Sequence, residues 1–127
     1  MINGLTYADS VYSYRITVKI RLCSAGDVAS GGVIKVETNG LTVAVFNLDG
    51  EFYVTDDACT HGPGSMSEGF VDGDCIECNF HQGVFNIKTG AVVQPPCMVP
   101  LKTYPASVEG GDVYIEHDGI TPGTVIS

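Results

Sequence analysis

Two short segments, Cys59-Thr60-His61 and Cys78-Asn79-Phe80-His81, constrain this chain more than any other feature. Each sets a thiol and an imidazole two or three positions apart, and sixteen residues separate His61 from Cys78. One Cys/His pair followed by a second asks for two tight loops that face each other, each giving one sulfur and one ring nitrogen to a shared centre. Gly62, Pro63 and Gly64 follow the first pair, and Gln82-Gly83 follows the second. Glycine has no Cβ, so it lets the backbone come close to a ligand, and its N–H is free to donate to sulfur.

Two thiolates and two imidazoles satisfy a [2Fe–2S] centre in which histidines replace two of four cysteines on one iron. Cys59 and Cys78 would then hold the inner iron, and His61 and His81 the outer one. A neutral imidazole brings less negative charge than a thiolate, so the reduced state is easier to reach, and the task is moving one electron at a time. Zinc also takes Cys2His2, which makes a zinc-stabilised interaction module without redox function the alternative. The finger pattern begins Cys-x2–4-Cys and ends His-x3–5-His, and this chain lacks it. With four side-chain ligands no coordination position stays open for substrate. No three-ligand facial site, nucleophile triad or dinucleotide loop is present either. The reading is an electron-transfer component, not an enzyme.

The chain has 127 residues, enough for one ordinary domain with a modest core. Fifteen acidic and six basic side chains give a formal net charge of -9. That balance argues against nucleic acid as a partner, because phosphate binding needs basic surface. No stretch reaches the ~18 apolar residues of a membrane-spanning helix, and no basic segment followed by a long apolar run marks a secretory signal. The cysteines number five, and an odd count argues against a disulfide framework. Cys23, Cys75 and Cys97 read as packing residues. A reducing cytoplasm fits this usage.

Along the chain, residues 1–13 read as an N-terminal extension. From Tyr14 to Leu22, apolar Tyr14, Ile16, Val18, Ile20 and Leu22 alternate with Arg15, Thr17, Lys19 and Arg21, a half-buried strand. Ala25-Gly26-Asp27 turns the chain. Val33–Thr38 reads as a strand with Ile34 and Val36 inward. Asn39-Gly40 predicts a type I′ hairpin. Leu41–Leu48 returns and is buried on both sides in places. Asp49-Gly50 is a second such turn before Glu51–Thr55, and the three strands form a meander. Residues 56–98 are rich in glycine, hold both ligand pairs and Pro95-Pro96, and show strand character only at Cys75–Glu77 and Gly83–Ile87. They read as a cluster-binding subdomain inserted into a larger β scaffold. Leu101–Tyr104, Ser107–Glu109 and Val113–Glu116 resume the strands, with Gly110-Gly111-Asp112 as a hairpin turn. His117 reads as a surface histidine beyond the last strand, and residues 119–127 as a tail. The expected class is all-β, a small antiparallel sandwich or partly open barrel over residues 14–118.

The segments Cys59-Thr60-His61-Gly62-Pro63-Gly64 and Cys78-Asn79-Phe80-His81-Gln82-Gly83 resemble the Rieske family. The chain as a whole is similar to the small Rieske ferredoxins of bacterial aromatic ring-hydroxylating dioxygenase systems. The likeness includes Asp49-Gly50-Glu51-Phe52-Tyr53, Met66-Ser67-Glu68-Gly69 and Leu101-Lys102-Thr103-Tyr104-Pro105, and spans residues 15–117. It implies the Rieske fold, one [2Fe–2S] cluster, and Cys59, His61, Cys78 and His81 as its ligands. Pro95-Pro96 would match the proline loop that covers the cluster. It also implies a monomer that takes electrons from an NADH-dependent flavoprotein reductase and passes them to the terminal oxygenase. A Rieske electron-transfer subunit of another system, such as nitrite reductase, is the alternative within the family. The respiratory Rieske proteins carry a disulfide between the ligand loops at positions matching Gly64 and Phe80, and hydroxyl donors at positions matching Gly83 and Phe85. Their absence here implies a potential toward the low end of the roughly -150 to +300 mV Rieske range.

Within residues 56–98, Asp56, Asp57, Glu68, Asp72, Asp74 and Glu77 stand against Lys88 alone. This predicts an acidic rim around an apolar tip of Pro63, Phe80 and Pro95-Pro96, suited to steering a basic partner surface onto the histidine end.

Overall fold

The computed structural model describes residues 17–60, 62–80, 82–95 and 98–118. The N-terminal extension, the C-terminal tail, His61, His81, Pro96 and Cys97 lie outside the described residues. Eleven strands are described: β1 (Thr17–Ser24), β2 (Val33–Thr38), β3 (Leu41–Leu48), β4 (Glu51–Asp56), β5 (Phe70–Asp72), β6 (Cys75–Glu77), β7 (Val84–Asn86), β8 (Val92–Gln94), β9 (Thr103–Tyr104), β10 (Ala106–Glu109) and β11 (Asp112–Asp118). They make three antiparallel sheets, ordered β1-β11-β10, β2-β3-β4-β9 and β5-β6-β7-β8. The class is all-β, and none of these sheets closes on itself. Among the described residues no helix is long and apolar enough to cross a membrane.

The meander β2-β3-β4 forms the middle layer. Asn39 and Gly40 both have positive φ (51° and 78°), as do Asp49 and Gly50 (57° and 90°), which is what type I′ turns require. Asn47 braces the second turn: its buried side chain donates to the Val28 carbonyl (2.9 Å) and accepts from Gly50 N–H (2.7 Å). The five residues Val43–Asn47 of β3 are all buried. Because side chains alternate along a strand, Val43 and Val45 pack with Ile20, Leu22, Val54, Val113 and Ile115 on one side. Ala44 and Phe46 pack on the other with Met66, Ile76, Phe85, Ile87 and Leu101. Cys59 and Cys78 belong to this second cluster. One strand therefore serves both the scaffold core and the core beneath the ligand loops.

Several sequence expectations shift. Strand β1 continues to Ser24, and a bulge between Arg21 and Cys23 resets its alternation so that Leu22 and Cys23 are both buried. Val18, expected inward, is 40% exposed: it pairs with His117 at the end of the ladder, past the reach of the core. Strands β5 and β8 had no sequence signal, since three residues carry no readable period. The stretch Leu101–Tyr104 yields only the two-residue β9. Pro105 then ends it, and the chain crosses from β4's sheet to β11's, where Ala106–Glu109 forms β10. His117 lies inside β11, with its ring centroid 6.0 Å from that of Tyr104, and is not beyond the last strand. The Tyr104 hydroxyl donates to Asp56 Oδ1 (2.6 Å), tying β9 to the end of β4. Burial first, and then that bond, push its ionisation well above the usual phenol value, so the O–H persists as a donor.

Phe46 tests the shared strand. Phe46→Ala should lower stability by about 3–5 kcal/mol, the usual cost of emptying a buried aromatic site. Thr42→Ala, exposed on the same strand, should change it by no more than about 0.5 kcal/mol. Chemical unfolding followed by circular dichroism measures both. Equal effects would contradict the burial of Phe46 in the core beneath the loops.

Candidate metal centre

The two Cys/His segments occupy loops of the same design. The first leaves β4 and is flanked by a bridge between Ala58 and Ser65, and inside it Cys59 N–H donates to the Gly64 carbonyl (3.1 Å). The second joins β6 to β7, where Glu77 pairs with Val84 and Cys78 N–H donates to the Gly83 carbonyl (2.7 Å). In each case the cysteine opens a loop that a glycine closes five residues later. Gln82 takes a positive φ of 61°, which completes the second turn.

The loops meet at the cysteines. Cys59 and Cys78 are 7% and 2% exposed. A Cβ added to Gly64 would lie 2.7 Å from Cys78 Sγ, and 3.3 Å from both Cys59 Cβ and Phe80 Cβ. Gly64 is thus the spacer that lets the two thiols come together, and its contribution seen here is this steric one. Phe80 N–H donates to Cys78 Sγ (3.3 Å). Burial raises the Cys78 thiol pKa, as does neighbouring Cys59, while the Phe80 N–H acts the other way. A buried thiol pair with a backbone N–H already directed at one sulfur is a site that favours thiolates once a cation balances them. These residues fit a metal–sulfur group. His61 and His81, the expected imidazole donors, lie outside the described residues.

Further contacts hold the loops from the side. Thr60 Oγ1 donates to the Val99 carbonyl (2.8 Å), which lays the segment after Pro95 against the first loop. Leu101 N–H donates to the Gly90 carbonyl (2.8 Å), and a Cβ at Gly90 would come within 2.0 Å of the Leu101 carbonyl oxygen. Pro63, Phe80 and Pro95 are exposed, as the apolar tip requires. Met98 (83% exposed) and Val99 (57%) add exposed apolar surface on the segment that Thr60 holds. The sequence signal for them was the run from Pro95 to Pro100, apolar and without strand period.

The acidic rim needs correction. Asp57 is 3% exposed, and its carboxylate accepts from Ser67 N–H (2.8 Å) and Ser65 O–H (2.5 Å). Asp56 is engaged by Tyr104. Asp72 and Asp74 flank Gly73 at the end of the β5–β6 hairpin opposite Cys78, and Asp74 pairs with Lys88 (3.7 Å). Only Glu68 and Glu77 remain beside the loops. A count along the chain could not separate these roles, because burial and hairpin direction are properties of the fold.

Residues 18–105 match the Rieske [2Fe-2S] domain. The chain belongs to that family. It is 46% identical over 97 residues to the biphenyl dioxygenase ferredoxin subunit of Pseudomonas sp. (strain KKS102), covering 76% of this chain and 89% of the relative. Among solved structures it is similar to the Sphingomonas yanoikuyae B1 ferredoxin, with 44% identity, coverage of 79% and 99%, and a TM-score of 0.75. It also matches a chain in the complex of reduced oxygenase and oxidized ferredoxin in carbazole 1,9a-dioxygenase. There the identity is 40%, the coverage 82% and 98%, and the TM-score 0.75. The chain is a Rieske-type ferredoxin domain homologous to the ferredoxin subunits of aromatic ring-hydroxylating dioxygenases. That homology supports a [2Fe–2S] cluster in general.

Two glycines of the first loop separate steric need from mere loop composition. Gly64→Ala should sharply lower the iron and acid-labile sulfide retained per chain, because its Cβ meets Cys78 Sγ. Gly62→Ala has nothing within 4 Å of the added Cβ and should retain both. Iron and sulfide assays on the purified variants make the comparison, and full retention by Gly64→Ala would contradict the spacer role.

Proposed function

We propose that this chain is a one-electron carrier in which Cys59 and Cys78 hold one iron of a single [2Fe–2S] cluster and His61 and His81 hold the other. The domain spans residues 14–118, with residues 56–98 as its cluster-binding part. It works as a cytoplasmic monomer. An NADH-dependent flavoprotein reductase supplies its electrons, and the terminal oxygenase of an aromatic ring-hydroxylating dioxygenase receives them. The cluster, when bound, supplies a centre that alternates between two oxidation states one electron apart. The oxygenation chemistry belongs to the partner.

The observation that carries this reading is the pairing of two glycine-closed loops, which bring the buried Cys59 and Cys78 thiols together beneath an exposed apolar face. The loops exclude water from the sulfur side, and the Phe80 N–H offers a hydrogen bond to Cys78 Sγ. On the outer side Pro63, Phe80, Pro95, Met98 and Val99 present apolar surface. A small, weakly charged contact of this kind suits a transient complex that must form and part quickly. The relatives named above, 40–46% identical, are ferredoxins, and that of carbazole 1,9a-dioxygenase forms a complex with its oxygenase.

The test follows electrons through the contact face. Reduced protein is mixed with oxygenase in stopped flow, and the second-order rate is compared for wild type and Met98→Asp. The substitution should slow delivery by about fivefold or more, as loss of an anchoring apolar contact does, while leaving the visible spectrum unchanged. An unaltered rate would remove this face from the docking surface. Failure of the wild type to accept electrons from any flavoprotein reductase would contradict the carrier role itself.

A further inference from the structure

The buried carboxylate of Asp57 and the side chain of Asn79 are not used by the ligand set, and they meet on one residue. A buried carboxylate is costly unless its oxygens are hydrogen-bonded. Asp57 Oδ1 accepts from Ser67 N–H and Oδ2 from Ser65 O–H, and the Ser65 and Ser67 hydroxyls lie 3.0 Å apart. The Asp57 carbonyl also accepts from Met66 N–H (2.7 Å). Together these bonds fix residues 65–67, which directly follow the spacer Gly64. Ser65 N–H then donates to Asn79 Oδ1 (2.9 Å), while Asn79 Nδ2 donates to Glu68 Oε1 (3.3 Å). Asn79 follows Cys78 in the second ligand loop. Both ends of its amide engage the segment after the first loop, which sets the orientation of the side chain.

Resting on the ligand assignment proposed above, we propose that Asn79 is a positioning residue whose side chain, held through Ser65 on the buried Asp57 carboxylate, ties the two ligand loops at their working spacing. Gly64 and Cys78 leave no slack: an added Cβ at Gly64 would already be 2.7 Å from the sulfur. A hydrogen bond from the residue after Gly64 to the residue after Cys78 acts directly on that separation. Asparagine suits the position because it offers an acceptor to Ser65 and a donor to Glu68. Aspartate would keep the acceptor but set a second carboxylate against Glu68.

The test uses the cluster-loaded protein and reads two properties besides activity. One is the rate at which the visible absorption bleaches in excess chelator, and the other is deuterium uptake by the peptide containing Ser65. Asn79→Ala should bleach about fivefold faster, the scale of one net hydrogen bond, and should take up deuterium faster around Ser65. Asn79→Asp combined with Glu68→Gln keeps the acceptor without the carboxylate clash, and should return both readings to within about twofold of wild type. An Asn79→Ala protein that matches wild type in both readings overturns the tie, as does a double variant that bleaches as fast as Asn79→Ala. A wild type that binds no iron and sulfide overturns the ligand assignment instead, and the tie with it.

Discussion

The close approach of two loops at Gly64 and Cys78 Sγ is the constraint from which the rest of this molecule follows. Two thiols can share one centre only if their backbones come within side-chain reach, and a Cβ at position 64 would fill the space between them. Each loop is closed by its own cysteine N–H on a glycine carbonyl, so the cysteine is held at the loop's entrance, with Pro63 and Phe80 exposed beyond it. This leaves the Cys59 and Cys78 sulfurs buried. Burial on the sulfur side is the insulation an electron carrier needs.

Support for that approach comes from the middle layer. Strand β3 buries Val43 and Val45 in the scaffold core, and Ala44 and Phe46 in the core beneath the loops. The second core contains Cys59 and Cys78 themselves. Displacing Phe46, Met66, Ile76 or Phe85 moves the floor on which the sulfurs rest, which in the proposed ligand assignment couples packing to cluster binding. The outer layer of β5-β6-β7-β8 is built from three-residue strands, at the short end of the usual range. It packs on β3 through Ile76 and Phe85 against Ala44 and Phe46.

Much of this was legible in the sequence wherever the signal is local. Asn39-Gly40 and Asp49-Gly50 announce their turns because positive φ at both positions favours those residues, and β2 and β3 keep the bounds read between those turns. The cysteine pairing was legible as a motif whose spacing has few other uses. What escaped depends on residues distant in the chain. The β1 bulge, the three-residue strands β5 and β8, and the sheet change at Pro105 have no periodic signature. Asp57 looks like any surface acid until Ser65 and Ser67 fold over it, and Asn79 looks like a loop residue until Ser65 arrives. The acidic rim failed for the same reason, since charge along a sequence does not say which end of a hairpin carries it.

The central claim is that one [2Fe–2S] cluster is held by Cys59 and Cys78 on one iron and by His61 and His81 on the other. Pulsed electron paramagnetic resonance on the reduced protein, with histidine labelled by nitrogen-15, tests it most directly when set beside iron and sulfide assays of the same sample. The account predicts two irons and two sulfides per chain. It also predicts a paramagnetic reduced state coupled to two histidine nitrogens, with one coupling lost in each of His61→Cys and His81→Cys. Zinc in place of iron, or a reduced cluster without histidine nitrogen coupling, would contradict it.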